Sequence, residues 1–197
     1  MESIRVRFAP SPTGFVHIGG LRTALYNYLF TRKNGGSFIL RIEDTDRSRF
    51  IPGATENLIA VLDWAGISPD EGPTVGGNYG PYFQSQRTEI YRKYAEQLIR
   101  DGYAYYAFDT AEEVEALRNS ATGRKYDAHT RLSMRNSLTL SEAEVGRLIA
   151  ANAPMVVRLK VPADRTFTFQ DLIRGSVSFS SSQVDDQVLI KSDGYPT

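Results

Sequence analysis

A stretch rich in proline and glycine, residues 7–20, joins a strand pattern to a helix pattern and constrains the fold more than any other part of the chain. Before it, Ile4, Val6 and Phe8 alternate with arginines, which is the period-2 pattern of a strand. After it, apolar side chains recur at the spacing of a helix with one buried face, at Leu21, Ala24, Leu25, Tyr28 and Leu29. The turn between the two patterns is therefore expected at the positive end of a helix dipole.

A second strand is predicted directly after this helix. The sequence Asn34-Gly-Gly36 suits a left-handed helix C-cap, and residues 37–43 then show a strand pattern. Strand, helix and strand in this order predict an α/β fold. In folds of this kind, phosphates bind at the turn that follows the first strand.

The composition excludes several classes of protein. Of the 197 residues, 41% are hydrophobic and 23% are charged, with a formal net charge of zero, as in an ordinary soluble globular protein. No apolar run reaches the roughly 18 residues that span a membrane, and the N-terminus lacks the apolar segment of a signal peptide. The absence of cysteine excludes disulfides and thiolate metal sites. We therefore expect a cytoplasmic protein with no membrane partner.

The middle of the chain is predicted to be a mixed α+β unit inserted after this opening. Residues 68–81 contain three prolines and four glycines and are the best candidate for a domain boundary. Helices are predicted from Pro52 to residue 64 or 65, over 84–101, and after capping-box sequences at Thr110 and Ser141. Strands are predicted over 103–108, 155–161, 167–169, 176–180 and 184–190. Residues 192–197 carry only turn chemistry, which we interpret as a cut in a longer protein.

A single histidine, His17, stands where the turn passes into the first helix. The turn has neither the Walker A pattern nor G-x-G-x-x-G, so two common nucleotide loops are absent. A lone histidine at a helix start is structural about as often as it is functional. Here Gly19 and Gly20 clear space beside the imidazole, and the helix dipole favours an anion. This setting suits donation to phosphate oxygens as charge builds in a transition state.

A basic patch lies in the middle of the chain. Residues 116–135 hold five basic side chains against one acid, Asp127, which gives a local charge of +4. The basic residues are Arg118, Arg124, Lys125, Arg131 and Arg135. Such a patch can bind nucleic acid, but a solvated surface segment explains it equally well.

Several motifs make the chain resemble a known family. The longest are Arg-x-Ala-Pro-Ser-Pro-Thr-Gly at 7–14 with His17-Ile-Gly-Gly20, Arg41-Ile-Glu-Asp-Thr-Asp-Arg47, and Lys191-Ser-Asp-Gly-Tyr-Pro-Thr197. Together with shorter matches between them, they resemble the bacterial-type glutamyl-tRNA synthetases, which are class I aminoacyl-tRNA synthetases. The resemblance implies the first half of a Rossmann-like nucleotide-binding fold at 1–81. It also implies an inserted α+β acceptor-stem-binding domain at 82–187 and a truncated return to the catalytic domain at 188–197.

The resemblance also implies roles for individual residues. His17 takes the place of the first histidine of the class signature H-I-G-H and would be catalytic, whereas Gly20 departs from its last histidine. The implied ATP-binding residues are Pro12, Thr13, Gly14, His17, Gly19 and Gly20, and the implied glutamate-binding residues are Arg7, Ala9, Ser11 and Glu43. A guanidinium suits a substrate carboxylate and an acid suits the ammonium group. Two alternatives stay open, namely that Arg7 is a surface charge and that Glu43 pairs with Arg41.

Contacts with tRNA are implied at Asp46, Arg47 and Arg49, and in the insertion at Arg118, Arg124, Lys125 and Arg131. The alternative for the first group is a salt-bridged turn. Tyrosines 103, 105 and 106 could stack on bases, although alternating aromatics on a strand more often belong to a core. Some relatives hold zinc through cysteines in this insertion. The corresponding residues 106–109 and 126–130 contain no thiolate, so we predict no zinc.

The function implied by the resemblance is that of a glutamate–tRNA ligase. Its substrates would be ATP with Mg²⁺, L-glutamate and tRNA-Glu, and we expect a monomer. The alternatives are the paralogue that glutamylates queuosine on tRNA-Asp, a non-catalytic tRNA- or nucleotide-binding module, and an unrelated nucleotidyltransferase. The second ATP signature and the anticodon-binding region are expected beyond residue 197. We therefore expect these 197 residues alone to form no glutamyl-adenylate at a useful rate.

Overall fold

The computed structural model describes residues 4–119 and 125–197. The chain divides into two units, residues 1–89 and residues 90–197, here called unit 1 and unit 2. The three-part division predicted from the sequence stays a prediction. No helix in the described part of the chain is long and apolar enough to cross a membrane.

Unit 1 opens with the predicted strand–helix–strand arrangement. Strand β1 (Arg5–Phe8) and strand β2 (Ser37–Leu40) are parallel and in register from Arg5 opposite Ser37 to Phe8 opposite Leu40, with helix α1 (Ile18–Asn34) between them. The regular ladder of the second strand ends at Leu40 and not at residue 43. The N–H groups of Arg41 and Glu43 still donate to the carbonyls of Phe8 and Pro10, and Ile42 forms an isolated bridge with Phe83.

The end of α1 follows the prediction. Gly35 is the C-cap with a φ of 62°, the left-handed conformation that glycine adopts without strain, and its N–H donates to the carbonyl of Thr31. Gly36 then passes so close to β1 that an added Cβ would lie 2.3 Å from the carbonyl oxygen of Ile4. The two glycines thus let the chain reverse and enter β2 at β1's side.

Helix α2 (Ala54–Trp64) completes the core of unit 1. The prediction that Pro52 is the first helical residue is wrong, because the helix begins at Ala54 after Gly53, whose φ is 82°. Apolar side chains from both strands and both helices form one buried cluster: Phe8, Ala24, Phe38, Leu40, Ile42, Leu58, Leu62 and Ile67. Burial of this shared face holds the turn between β1 and α1 against α2.

The loop between α2 and residue 84 is fixed to the start of β1 by a hydrogen-bonded ion pair between Glu71 and Arg5. The Arg5 guanidinium donates to both oxygens of Glu71, and the hydroxyl of Tyr82 donates to Glu71 Oε2 at 2.5 Å. The hydrogen bonds from Arg5 and then Tyr82 lower the pKa of Glu71. These bonds therefore hold the loop against the N-terminal end of β1.

Unit 2 is a mixed α+β structure. Its elements are α3 (Thr88–Arg100, which begins at the end of unit 1), β3 (Ala104–Ala107), α4 (Ala111–Arg118), α5 (Glu142–Ala150), β4 (Val156–Leu159), β5 (Thr166–Asp171), β6 (Gly175–Ser180) and β7 (Val188–Ile190). Strands β3, β4 and β7 form an antiparallel sheet in that order, and β5 and β6 form a hairpin. The last strand begins at Val188 and not at residue 184, because the carboxylate of Asp186 is engaged in the interior.

The two predicted capping boxes differ. At α4 the box is complete, because the hydroxyl of Thr110 accepts from the N–H of Glu113 and the Glu113 carboxylate accepts from the N–H of Thr110. At α5 the hydroxyl of Ser141 caps the helix, but the carboxylate of Glu144 accepts from Arg147 instead. Only half of the second box is therefore confirmed.

Candidate active site and nucleic-acid interface

The turn between β1 and α1 is held in place by a main-chain hydrogen bond to Ile51, which precedes α2, and by a hydrogen bond to a side chain of α2. The carbonyl of Pro12 accepts from the N–H of Ile51 at 3.0 Å. The N–H of Val16 donates to Oδ1 of Asn57, a residue of α2, at 3.1 Å. Since these bonds fix the backbone at both sides of the turn, the small side chains between them face a defined space.

That space is a cavity of about 430 Å³ in unit 1. Six residues predicted as site residues line it, namely Ser11, Pro12, Thr13, Gly14, His17 and Gly20. The remaining wall is formed by Phe8, Pro10, Phe15, Val16, Ala54 and Leu58. The structure therefore gathers most of the predicted ATP-binding residues around one cavity at the start of α1.

The imidazole of His17 caps the N-terminus of α1. Its Nδ1 accepts from the N–H of Gly19 at 3.1 Å, and the ring is otherwise exposed. A nitrogen that accepts carries no proton, so the neutral ring holds its proton on Nε2. His17 thus presents one N–H donor beside the positive end of the helix, which suits an anionic ligand.

The two glycines that follow His17 differ in what they permit. A Cβ on Gly19 would lie 2.8 Å from Cε1 and 3.0 Å from Nδ1 of His17, which is closer than real Cβ contacts. A Cβ on Gly20 would meet Val16 Cγ1 at 3.8 Å, an ordinary contact. Gly19 therefore makes room for the capping imidazole, whereas Gly20 borders the cavity.

Ser11 is the predicted glutamate-binding residue that lines this cavity. Arg7 and Ala9 are the sequence neighbours of Phe8, which also lines it, and on β1 the Arg7 side chain lies on the opposite face from Phe8. The Arg7 side chain is exposed on β1 and makes no hydrogen bond or ion pair within residues 4–119 and 125–197. Its guanidinium is free to receive a carboxylate in bidentate fashion.

Glu43 is tied to the same turn through its backbone. Its N–H donates to the carbonyl of Pro10 at 2.9 Å, while its Oε1 accepts from Nε of Arg41 at 2.9 Å. The pair with Arg41, left open by the sequence, is thus present. It does not exclude ligand binding, because the other carboxylate oxygen has no hydrogen bond with the described residues.

The segment after β2 is a salt-bridged turn. Residues Arg47–Arg49 form a short 3-10 helix, and the carboxylate of Asp46 accepts from the Ser48 hydroxyl at 2.8 Å and from Nε of Arg49 at 2.6 Å. These two bonds, Ser48 first, lower the pKa of Asp46. Arg47 and Arg49 are both exposed, so their side chains reach the surface from this salt-bridged turn.

In unit 2, one predicted tRNA contact has a different role. The Arg131 side chain is 8% exposed and its Nη1 lies 3.0 Å from Oδ2 of Asp186, whose side chain is fully buried. Asp186 also accepts from the hydroxyl of Tyr105 at 2.6 Å and from the N–H of Val161 at 3.0 Å. Arg131 therefore cross-links the interior, and it is removed from the set of candidate tRNA contacts.

The other basic residues of the patch are more accessible. Lys125 is half exposed and lies 3.7 Å from Asp185, and Arg118, the last residue of α4, is exposed. Arg124 lies outside the described residues. Of the tyrosines on β3, Tyr105 belongs to the core, as the more common pattern predicts.

Residues 106–109 and 126–130, where the sequence predicts no zinc, are joined by a hydrogen bond. The hydroxyl of Tyr126 donates to Oδ2 of Asp109 at 2.6 Å, and the N–H of Arg135 donates to Oδ1 at 2.7 Å. Burial and the bond to Asp109 raise the pKa of Tyr126, so its hydroxyl stays protonated. The described residues contain no group of three or more potential metal ligands, which leaves the prediction of no zinc untested.

Sequence reasoning missed several residues that shape the site. Asn57 anchors the turn, and Ala54 and Leu58 line the cavity, all from α2. A polar residue beside Leu58 on the inner part of an amphipathic helix is a signal that could have identified Asn57. The approach of α2 to the turn depends on tertiary packing, which no local pattern shows.

Comparison with known proteins gives matches that extend over essentially the whole chain. Residues 3–197 match the family of class I tRNA synthetases (E and Q), catalytic domain. Glutamate–tRNA ligases from Parabacteroides distasonis and Cytophaga hutchinsonii are 58% and 55% identical over all of this chain, which covers 39% of each relative. The crystal structure of a glutamate tRNA ligase from Elizabethkingia meningosepticum in complex with its amino acid matches with a TM-score of 0.93 and 51% identity, over 100% of this chain and 40% of that one.

These matches confirm the predicted resemblance and the predicted α/β fold class. The chain spans about two fifths of the length of the curated relatives it matches. The motifs at the turn, the strand–helix–strand arrangement and the comparisons agree, and the chain belongs to the catalytic domain family of the class I tRNA synthetases (E and Q).

Proposed function

We propose that this chain is the glutamate-activating part of a glutamate–tRNA ligase. The observation that carries the proposal is the 58% identity, over all 197 residues, to a protein named glutamate–tRNA ligase. The cavity at the start of α1 supports it, because a phosphate-sized anion suits a helix N-terminus with an adjacent N–H donor.

In the first step, the α-carboxylate of glutamate attacks the α-phosphate of ATP, which is used with Mg²⁺. A bond forms between a carboxylate oxygen of glutamate and the α-phosphorus. The bond from this phosphorus to the oxygen that bridges the α- and β-phosphates breaks, and pyrophosphate leaves with its electron pair. Nε2–H of His17 donates to the phosphate oxygens as their charge increases, and the N-terminus of α1 adds its dipole. Pro12, Thr13, Gly14, Gly19 and Gly20 bring the backbone near the nucleotide.

Recognition of glutamate uses the residues beside the cavity. The guanidinium of Arg7 receives the side-chain carboxylate of glutamate, and Oε2 of Glu43 receives the ammonium group. Ala9 and Ser11 complete the proposed glutamate site. The side chain of glutamine ends in a neutral amide, so glutamine would lose a charge-assisted hydrogen bond to Arg7 and bind more weakly than glutamate.

In the second step, a ribose hydroxyl of the terminal adenosine of tRNA-Glu attacks the glutamyl carbonyl, and AMP leaves. Arg47 and Arg49 in unit 1, and Arg118 and Lys125 in unit 2, are the proposed contacts to the RNA backbone. Asp46 orients Arg49 for this contact. We further propose that the enzyme is a cytoplasmic monomer without zinc. The absence of cysteine in this chain supports the last point alone, because it removes thiolate ligands.

The test is pyrophosphate exchange into ATP by the intact protein that carries this chain, with tRNA-Glu present. We expect exchange that depends on glutamate and not on glutamine, and a drop of roughly a hundredfold in the His17→Ala variant. Exchange with neither amino acid, or equal exchange with both, would contradict the proposed function. Transfer of glutamate to tRNA-Asp in place of tRNA-Glu would point to the queuosine paralogue.

A further inference from the structure

Arg41 and Glu43 form an ion pair at the end of β2, where the chain is extended. Residues two apart in extended chain lie on the same face, so their side chains meet. Nε of Arg41 donates to Oε1 of Glu43 at 2.9 Å, and Nη2 lies 2.9 Å from the same oxygen. Both side chains are largely covered, at 18% and 24% exposure. Oε2 of Glu43 keeps no hydrogen bond to the part of the chain that the structure describes.

The backbone of this pair is fixed against the extension of β1. The N–H of Arg41 donates to the carbonyl of Phe8 at 3.0 Å, and the N–H of Glu43 donates to the carbonyl of Pro10 at 2.9 Å. Phe8 and Pro10 both line the cavity at the start of α1. The pair is therefore anchored at two points beside the proposed amino-acid site.

The pair holds the Glu43 carboxylate in one orientation. Two donors on a single oxygen fix the plane and rotamer of a carboxylate that would otherwise sample several positions. Because both donors of Arg41 use Oε1, the pair leaves Oε2 without a hydrogen bond among the described residues. The ion pair therefore holds both carboxylate oxygens of Glu43 in fixed positions, with Oε1 bonded to Arg41 and Oε2 open to a ligand.

We propose that Arg41 is a positioning residue for substrate glutamate, because it holds Glu43 so that Oε2 alone is presented to the ammonium group. This inference rests on the proposed function, in which Glu43 receives that ammonium. Arg41 itself touches neither substrate nor reacting atoms. Its loss frees the carboxylate to rotate, which weakens ground-state binding of the amino acid and leaves the chemical step at bound substrate largely unchanged.

The test compares Arg41→Met and Arg41→Lys in the intact protein by glutamate-dependent pyrophosphate exchange. We expect Arg41→Met to raise the KM for glutamate by about tenfold, the size expected for a lost bond to a charged group, with a much smaller change in kcat. Arg41→Lys keeps the charge without the two-donor fork, so it should recover only part of the loss. In the Glu43→Gln background, Arg41→Met should have no further effect on KM.

A ligand without an amino group separates orientation of Glu43 from general damage. Glutarate has the two carboxylates of glutamate and no ammonium, and it should inhibit wild type and Arg41→Met within about twofold of each other. The matched control is Arg32→Met, which breaks another ion pair of unit 1, with Asp70, far along α1 from the turn. This control should leave the KM for glutamate unchanged.

Two results would overturn the inference while the proposed function stands. One is an unchanged KM in Arg41→Met. The other is an effect that persists in the Glu43→Gln background or that weakens glutarate as strongly as glutamate. Failure of the proposed function has a different signature, because wild type itself would then show no glutamate-dependent exchange, and the inference would fall with it.

Discussion

The turn of unit 1 and the basic patch of unit 2 both carry charged side chains, but the two regions use them in opposite ways. At the turn, the Arg7 guanidinium, Nε2 of His17 and one oxygen of Glu43 are left open while main-chain bonds hold the backbone. In unit 2, the Arg131 guanidinium forms an ion pair with the buried carboxylate of Asp186. The same residue type therefore presents its charge in one region and is part of the interior in the other.

This difference teaches that a charge count identifies a binding surface only when the backbone around it is known. Proline and glycine in the turn restrict its backbone locally, so the position of His17 at the start of α1 follows from the sequence. The patch in unit 2 has no such local constraint, and its charges are divided between surface and interior by distant partners. The following changes test this contrast, from the largest expected effect to the smallest.

Asp186→Asn should destabilise unit 2 by about 3–5 kcal/mol, because it leaves the Arg131 charge buried without a counter-ion. The free energy of unfolding from urea titration measures this. The matched control is Asp185→Asn, which removes a pair with Lys125 at 3.7 Å whose members are much more exposed, and it should change stability by less than about 1 kcal/mol. Equal losses in the two variants would show that Arg131 and Asp186 are not a buried unit.

Arg7→Met should weaken the binding of L-glutamate to the intact protein by about a hundredfold and leave the unfolding free energy within about 0.5 kcal/mol. The reason is that the Arg7 guanidinium is exposed and unpaired among the described residues. Equilibrium dialysis with labelled glutamate gives the affinity. Arg131→Met is the contrasting variant and should lose stability in place of affinity. A loss of stability in Arg7→Met would remove the distinction between the two regions.

Gly19→Ala should displace the imidazole of His17, because the added Cβ would lie 2.8 Å from Cε1. We expect a loss of about 1 kcal/mol from the broken helix cap and a changed ¹⁵N shift at Nδ1. Gly20→Ala should keep the shift of wild type and gain up to about 1 kcal/mol, because alanine favours a helix. Identical NMR spectra of His17 in the two variants would refute the assigned role of Gly19.

Lys125→Ala should have the smallest effect. The side chain is half exposed, and its loss should reduce affinity for tRNA-Glu only a few-fold and lower the slope of log affinity against log salt by about 1. Filter binding at several salt concentrations gives both quantities. An unchanged slope would mean that the ammonium group of Lys125 contacts no phosphate.

The parts of the fold that the sequence predicts are those with local causes. The C-cap at Gly35, the capping box at Thr110 and the alternation in β1 each depend on residues within a few positions. The burial of Arg131 depends on Asp186, 55 residues away, and no local pattern reveals such a partner. The bridge between Ile42, just past the end of β2, and Phe83 likewise joins segments that are distant in the sequence.

The candidate site divides in the same way. His17, Gly14 and Ser11 were identified because turn chemistry and the family motifs fall on them, and the structure brings them to one cavity. Asn57 was missed because its contact with Val16 joins two elements that are 41 residues apart. The use of only one oxygen of Glu43 by Arg41 was also beyond sequence reasoning, since it is a matter of side-chain geometry.

The most direct test of the central claim is calorimetric titration of the intact protein with a non-hydrolysable glutamyl-adenylate analogue, with the glutaminyl analogue as the control. The account predicts tight binding of the glutamyl form, weaker binding of the glutaminyl form, and loss of this preference in Arg7→Met. Equal affinity for the two analogues, or a preference that persists without Arg7, would contradict the claim that the turn of unit 1 holds and selects glutamate.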